Sequence, residues 1–215
     1  MARPIQKPRP PHVSPPDLPP ALEDAEGARR GDHFGQRIAL RTGDLAHAQL
    51  EQCVLYGTAD GADLTGATVM DVEIQDPQTP TLVLRNASLR RVRIVGGRIG
   101  TLDLTDARVA ELEIRGVRID YLTFGGARVE DVEIADSALR ALDLPHATLS
   151  RVRFTGCRAD EVDARGLRAE DVDLRGLDTL SYLDVLSLKG ATMSSRQIEL
   201  LAGVLAAAAG IDVRD

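Results

Sequence analysis

Apolar side chains recur along this chain in a five-residue register that no single regular element can hold. Across residues 62–177 a small or apolar residue is followed two places later by a larger one: Ala62 and Leu64, Ala67 and Val69, Val72 and Ile74, and after one break Leu82 and Leu84 through Val152 and Phe154. Spacing of two puts both side chains on one side of an extended segment, whereas a period of five suits neither a helix of about 3.6 residues per turn nor an unbroken strand. The chain must therefore turn every five residues. A second period, of twenty, groups four pentapeptides into one unit, so that right-angle corners would stack the units as rungs about 4.8 Å apart. Size is then matched within inward columns, such as Val72, Val92, Leu112, Val132, Val152, Val172 and, beside it, Ile74, Ile94, Ile114, Ile134, Phe154, Leu174. Close packing of stacked rungs requires such matching.

The blocks Ala62-Asp63-Leu64-Thr65-Gly66 and Asp103-Leu104-Thr105-Asp106-Ala107 resemble the A(D/N)LxG motif of pentapeptide-repeat proteins. The resemblance covers residues 38–193 and implies an all-β solenoid, a right-handed quadrilateral β-helix of about seven four-sided coils. Some members of that family imitate B-form DNA with an acidic rod, occupy DNA gyrase or topoisomerase IV and protect against topoisomerase poisons. Their C-terminal helix makes the dimer.

Departures from the register mark the boundaries. Across residues 34–55 the large positions are Leu40, Leu45, Leu50 and Leu55, so one residue is lost between residues 56 and 59, as a shortened corner. Asp76-Pro77-Gln78-Thr79-Pro80 lacks two backbone donors and is expected to bulge or loop outward. The last rung is read with Leu183, Leu188 and Met193 as its large positions. Beyond it, Ile198, Leu201, Ala202, Leu205 and Ala209 share a helical face, Ser194 with Gln197 fits a capping box and Gly210 a stop. Residues 194–215 are therefore expected to be a capping helix and a short final strand. Ile198, Leu201 and Leu205 would face either the last rung or a twin helix in a homodimer. Residues 31–193 form the β-helix. Residues 1–30 hold eight of the eleven prolines and are expected to be a disordered tail, partly in polyproline II form. Such a tail is a ligand for a proline-binding groove, a tether, or a solvated leader that shields the first rung.

Composition narrows the function. The chain has 215 residues and a net charge of −7, with neither an apolar run long enough to cross a bilayer nor a signal-peptide segment, so a cytoplasmic protein without membrane contact is expected. Arginine-rich, lysine-poor composition suggests a bacterial source. Cys53 and Cys157 lie about five rungs apart, too far for a bridge. The four histidines are scattered, none at metal-ligand spacing, and no nucleophile sits beside a base, so neither enzyme activity nor a cofactor or metal site is expected. Residues 62–177 carry 20 acidic and 16 basic residues, a net of −4. A DNA stretch of the same length, about 28 Å, would present about 16 negative charges. Only one wall leans acidic, through Asp103, Asp106, Asp143 and Asp163. Arginine columns at Arg98, Arg118, Arg158 and at Arg108, Arg128, Arg168 are flanked by Asp120, Asp160, Glu130 and Glu170, a pattern that suits solubility and register. Too few exposed aromatics remain for direct nucleic-acid binding. The expected function is a protein-protein interaction scaffold with an unknown protein partner, using a flat wall and the tail; the alternative is a DNA-mimicking dimer that binds DNA gyrase.

Overall fold

Each strand of the body pairs in parallel with the strand one twenty-residue unit ahead, so Val72, Val92, Leu112, Val132, Val152 and Val172 stand in one continuous register. The computed structural model describes residues 7–25, 31–42 and 44–214. Four walls result, which we number I to IV from residue 62. Wall I carries residues 62–65 and their equivalents, wall II 67–70, wall III 72–75 and wall IV 77–80. The eight-residue strands Ser88–Val95, Arg108–Arg115, Arg128–Ala135 and Thr148–Thr155 run across walls II and III. They bend at Arg91, Glu111, Asp131 and Arg151, whose φ values lie between 50° and 61°. Shorter strands such as Arg98–Asp103 and Arg118–Thr123 join wall IV to wall I.

The inward columns close as their sizes require. Ile94, Ile114 and Ile134 are fully buried, the alanines from Ala67 to Ala147 form a second dry column, and Phe124 and Phe154 both point inward. Backbone groups are satisfied between rungs, as in Leu84 N–H to Asp103 O at 2.7 Å and Ser88 N–H to Ala67 O at 2.9 Å. Both cysteines are free and buried, and burial pushes both thiols up.

Wall II stacks eight strands, from Asp32–Phe34 to Arg168–Asp173, one more layer than the seven expected. The extra layer precedes the point where the five-residue pattern becomes readable. The lost residue falls where the pattern places it: Tyr56 pairs with Gln75, nineteen ahead, and Thr58 with Gln78, twenty ahead. The proline side does not bulge. Gln78, Thr79 and Thr81 keep register with Arg98, Ile99 and Thr101, and Thr79 is buried. Glycines in the next rung make this possible, since a Cβ at Gly97 or Gly100 would come within 2.4 Å of the carbonyl oxygen of Pro77 or Pro80. The last rung also differs from expectation. Tyr182 points inward opposite Val162, so Leu183, paired with Asp163, turns out to solvent. The shift comes later, in the 3₁₀ turn Val185–Leu188 after the left-handed Asp184.

The helix Ser195–Ala208, α1, starts at the expected capping box, and Gln197 also donates to the carbonyls of Leu174 and Leu177, both at 2.8 Å. Open carbonyls of the last rung thus become part of the helix start. The chain beyond Gly210 forms no strand among the described residues, and Ile211 and Val213 stand exposed.

The N-terminal segment departs most from expectation. Residues 1–6 and 26–30 of the expected disordered tail lie outside the described residues. Residues 7–22 lie against the solenoid, held by the hydrogen bonds given below, and Glu23–Ala25 adds a strand on Gln36–Ala39. Composition argued for disorder because the segment has little apolar surface to bury, but its attachment is polar.

If the inward columns carry the fold, Ile114→Ala lowers unfolding free energy by about 2–5 kcal/mol, whereas Thr148→Ala on the exposed face of wall II changes it by less than about 0.5 kcal/mol. Urea denaturation followed by circular dichroism measures both.

Candidate interaction surfaces

Wall I brings its acidic residues into one column but turns several of them into the fold. On four rungs the residue before the inward position, Leu64, Leu104, Phe124 or Ala164, accepts the backbone N–H two places on: Asp63 from Thr65, Asp103 from Thr105, Thr123 from Gly125 and Asp163 from Arg165. Asp103 and Asp163 are only 4% and 3% exposed. Asp103 also takes the Thr105 hydroxyl and Arg85 Nε at 2.5 Å, and Asp163 is clasped by Arg165. Burial acts to raise Asp103, and these bonds outweigh it and hold its pKa below the usual carboxylate value; Arg165 does the same for Asp163. Asp143 precedes Pro145, which has no amide to donate, and accepts the Tyr121 hydroxyl instead. Burial, with this bond next, pushes the Tyr121 phenol up to about 12. Asp106 is exposed, at a corner with φ 56°. The turn-capping role was readable in the recurring Asp-Leu-x order, since a carboxylate reaches the amide two residues on.

The corner between walls II and III holds the N-terminal segment. Arg9 donates its amide to Asp171 at 3.1 Å and its Nε to the same carboxylate at 2.5 Å, with Nη2 on Glu170 at 3.0 Å. The amides of His12, Ser14 and Asp17 go to Asp131, Glu111 and Asp71 at 2.9, 3.3 and 2.9 Å. Arginines on intervening rungs grip the same acids: Arg91 meets Asp71 through two bonds of 2.6 Å, and Arg151 meets Asp131 at 2.7 and 2.8 Å and also binds Glu130. Arg91, Arg151 and Arg9 lower the pKa of Asp71, Asp131 and Asp171 respectively, each helped by an amide of the segment. Glu130 and Glu170 therefore serve this corner, not the arginine column of wall II that they flank in sequence.

Wall IV carries a shallow trough of about 310 Å³ lined by Arg98, Arg118, Arg140 and Arg158 with Asp120 and Asp160, of which Arg98 pairs with Asp120 at 2.9 Å. On wall III, Arg93 pairs with Glu113 at 3.0 Å and Arg153 with Glu133 at 2.9 Å. At the C-terminal end the expected helix residues divide. Leu201 is buried and Leu205 packs partly against the core, but Ile198 is 44% exposed. Leu200 and Val204 are exposed with it, as are Leu180, Leu183 and Leu186 of the last rung. Among the described residues no group of three His, Cys, Asp or Glu side chains could hold a metal ion, and no helix is long and apolar enough to cross a membrane.

No protein-family model matches the chain, and no curated protein matches it. Among solved structures it is similar to QnrB1, described as a plasmid-mediated fluoroquinolone resistance protein. Two trypsin-treated variants of QnrB1 are 17% and 16% identical to it, over 86% and 87% of this chain and 100% and 99% of theirs, each with a TM-score of 0.24. Full-length QnrB1 is 15% identical over 83% of this chain and 99% of its own, with a TM-score of 0.22. The fold assignment stands on the twenty-residue ladder of this chain itself.

Carboxylates whose folded pKa lies below the unfolded value stabilise the fold fully above the unfolded pKa and lose that contribution as pH falls through the folded one. The melting temperature should therefore be flat on the acid side of neutrality until about pH 4 and drop below it, as the unfolded aspartates begin to bind protons. Asp131→Asn should melt lower at neutral pH and show a shallower acid drop, because one lowered carboxylate is gone. Thermal melts across the acid range check both.

Proposed function

We propose that this pentapeptide-repeat β-solenoid is a protein-protein interaction scaffold that works without catalysis or cofactor and pairs with a second copy through its C-terminal end. The observation that supports this reading is the placement of exposed apolar surface. Of the ten large apolar side chains exposed among the described residues, eight lie from Leu180 onward, at one end of the rod; Phe34 and Tyr121 are the others. Elsewhere the walls carry charges, part of them paired with neighbours, as Arg85 with Asp103, Arg93 with Glu113 and Arg98 with Asp120. An apolar patch confined to one end of a charged rod fits association, and a helix that buries only Leu201 leaves Ile198, Leu200 and Val204 available for it. Two copies meeting end to end through the same patch would form a closed, two-fold pair. The walls would stay free for a protein partner, and a rigid parallel stack loses little conformational entropy on binding.

A gyrase-occupying DNA mimic would need an unpaired acidic face, whereas wall I uses Asp103 and Asp163 as turn caps and arginine partners. The two buried free thiols suit a reducing compartment such as the cytoplasm. Light scattering on purified full-length chain should give twice the 23.1 kDa of one copy. Leu200→Glu combined with Val204→Glu should halve that mass without changing the far-ultraviolet spectrum. A monomeric unmodified chain, or a double variant that stays dimeric, would count against the reading.

A further inference from the structure

The corner between walls II and III differs from the others in its residues. Seven consecutive left-handed positions of this corner carry a side chain, Gln52, Asp71, Arg91, Glu111, Asp131, Arg151 and Asp171, and glycine stands only at its two ends, Gly35 and Gly190. Between walls I and II the same conformation is shared between glycine, at Gly66, Gly126 and Gly166, and His47, Asn86, Asp106 and His146. Left-handed backbone costs an ordinary residue free energy that glycine avoids, so seven rungs in a row without glycine point to a use for their side chains.

That use is legible in how the column matches the segment laid along it. Residues 71 and 171 are five rungs apart, about 24 Å at strand spacing. Residues 9 and 17 are eight apart, about 25 Å at the rise of a polyproline II strand. The two repeats therefore run in step, roughly three residues for every two rungs. Amides of Arg9, His12, Ser14 and Asp17 meet the four acidic rungs, Asp171, Asp131, Glu111 and Asp71. Between them lie two arginine rungs, Arg151 and Arg91, and there the segment has Pro10-Pro11 and Pro15-Pro16. A guanidinium is a donor only, and proline has no N–H to compete with it. Acid rungs thus face amides and arginine rungs face prolines. Arg9 adds one more term: its guanidinium sits on Asp171 as Arg91 sits on Asp71 and Arg151 on Asp131, at the point where the next rung brings Gly190 and no arginine.

We propose that this corner is a binding site for polyproline II segments, that residues 9–17 are its resident ligand, and that a proline-rich segment of another protein with a leading arginine and the same amide spacing binds there in exchange. The recognition elements are four carboxylates and two guanidiniums on a fixed ladder. The ligand is read by its backbone amides and by where it lacks them. The site uses no residue of the C-terminal helix, so its test reads separately from self-association.

The test uses the full chain and a fluorescent peptide of residues 7–20. His12→Pro with Ser14→Pro removes two of the four amides from the resident segment, keeps it extended and leaves the solenoid untouched. The labelled peptide should then bind the double variant at least tenfold more tightly than the unmodified chain, and a peptide carrying the same two prolines should bind neither. Amide exchange on the unmodified chain gives a second readout: Arg9, His12, Ser14 and Asp17 should be protected at least tenfold more than Val13. A native peptide that binds neither chain, or both alike, overturns the proposal, as does exchange of all four amides at the rate of an unstructured chain.

Discussion

Every feature of this molecule depends on one constraint: a residue and its equivalent twenty places on are held one strand spacing apart, side by side, in parallel. That contact makes columns out of a sequence, and a column must be uniform in size if it is inward and complementary in charge if it is outward. Ile94, Ile114 and Ile134 illustrate the first requirement, Asp71 with Arg91 and Asp131 with Arg151 the second. Charges on such a rod are consequently poor guides to what it attracts. Many of those on walls I and III, and on the corner between II and III, are engaged within their own rung, with the next rung or with the N-terminal segment.

The inward half of the structure was legible from residue order because it is written in a short period. The core columns, the capping box at Ser194 and the missing residue beside Gly57 follow from counting alone. What counting missed has a physical reason in each case. Pro77 and Pro80 looked incompatible with a regular side because the compensation, small residues at Gly97 and Gly100, lies a full unit away. Leu183 looked inward because hydrophobicity favours leucine there, but the register still held and brought Tyr182 in. The N-terminal segment looked unstructured because its attachments are backbone amides bonded to carboxylates 54 to 162 residues distant, and no local pattern records such a partner. Asp103, Asp143 and Asp163 stand in one column, but Asp103 and Asp163 turn inward, and only the Asp-Leu-Thr order at Asp103 signals it, since Ala164 follows Asp163.

Two surfaces emerge, and they use different physics. The C-terminal end offers apolar area left uncovered by a helix that buries one leucine. The corner between walls II and III offers a rigid polar ruler, whose markings are carboxylates and guanidiniums at strand spacing. A free chain of proline-rich composition is extended already, so little ordering entropy opposes its docking on such a ruler. Rigidity on both sides explains how a few backbone bonds can hold a segment that has scarcely any apolar surface.

The claim on which this account rests is that the N-terminal segment follows the rung spacing along the corner. Spin labels on cysteines introduced at the exposed positions 10 and 17 test it directly by dipolar spectroscopy on the full chain. A segment in step with the ladder gives one narrow distance distribution near 22 Å between backbone positions, seven residues at the polyproline II rise. A broad distribution centred near 15 Å, the span of a flexible seven-residue coil, would contradict it.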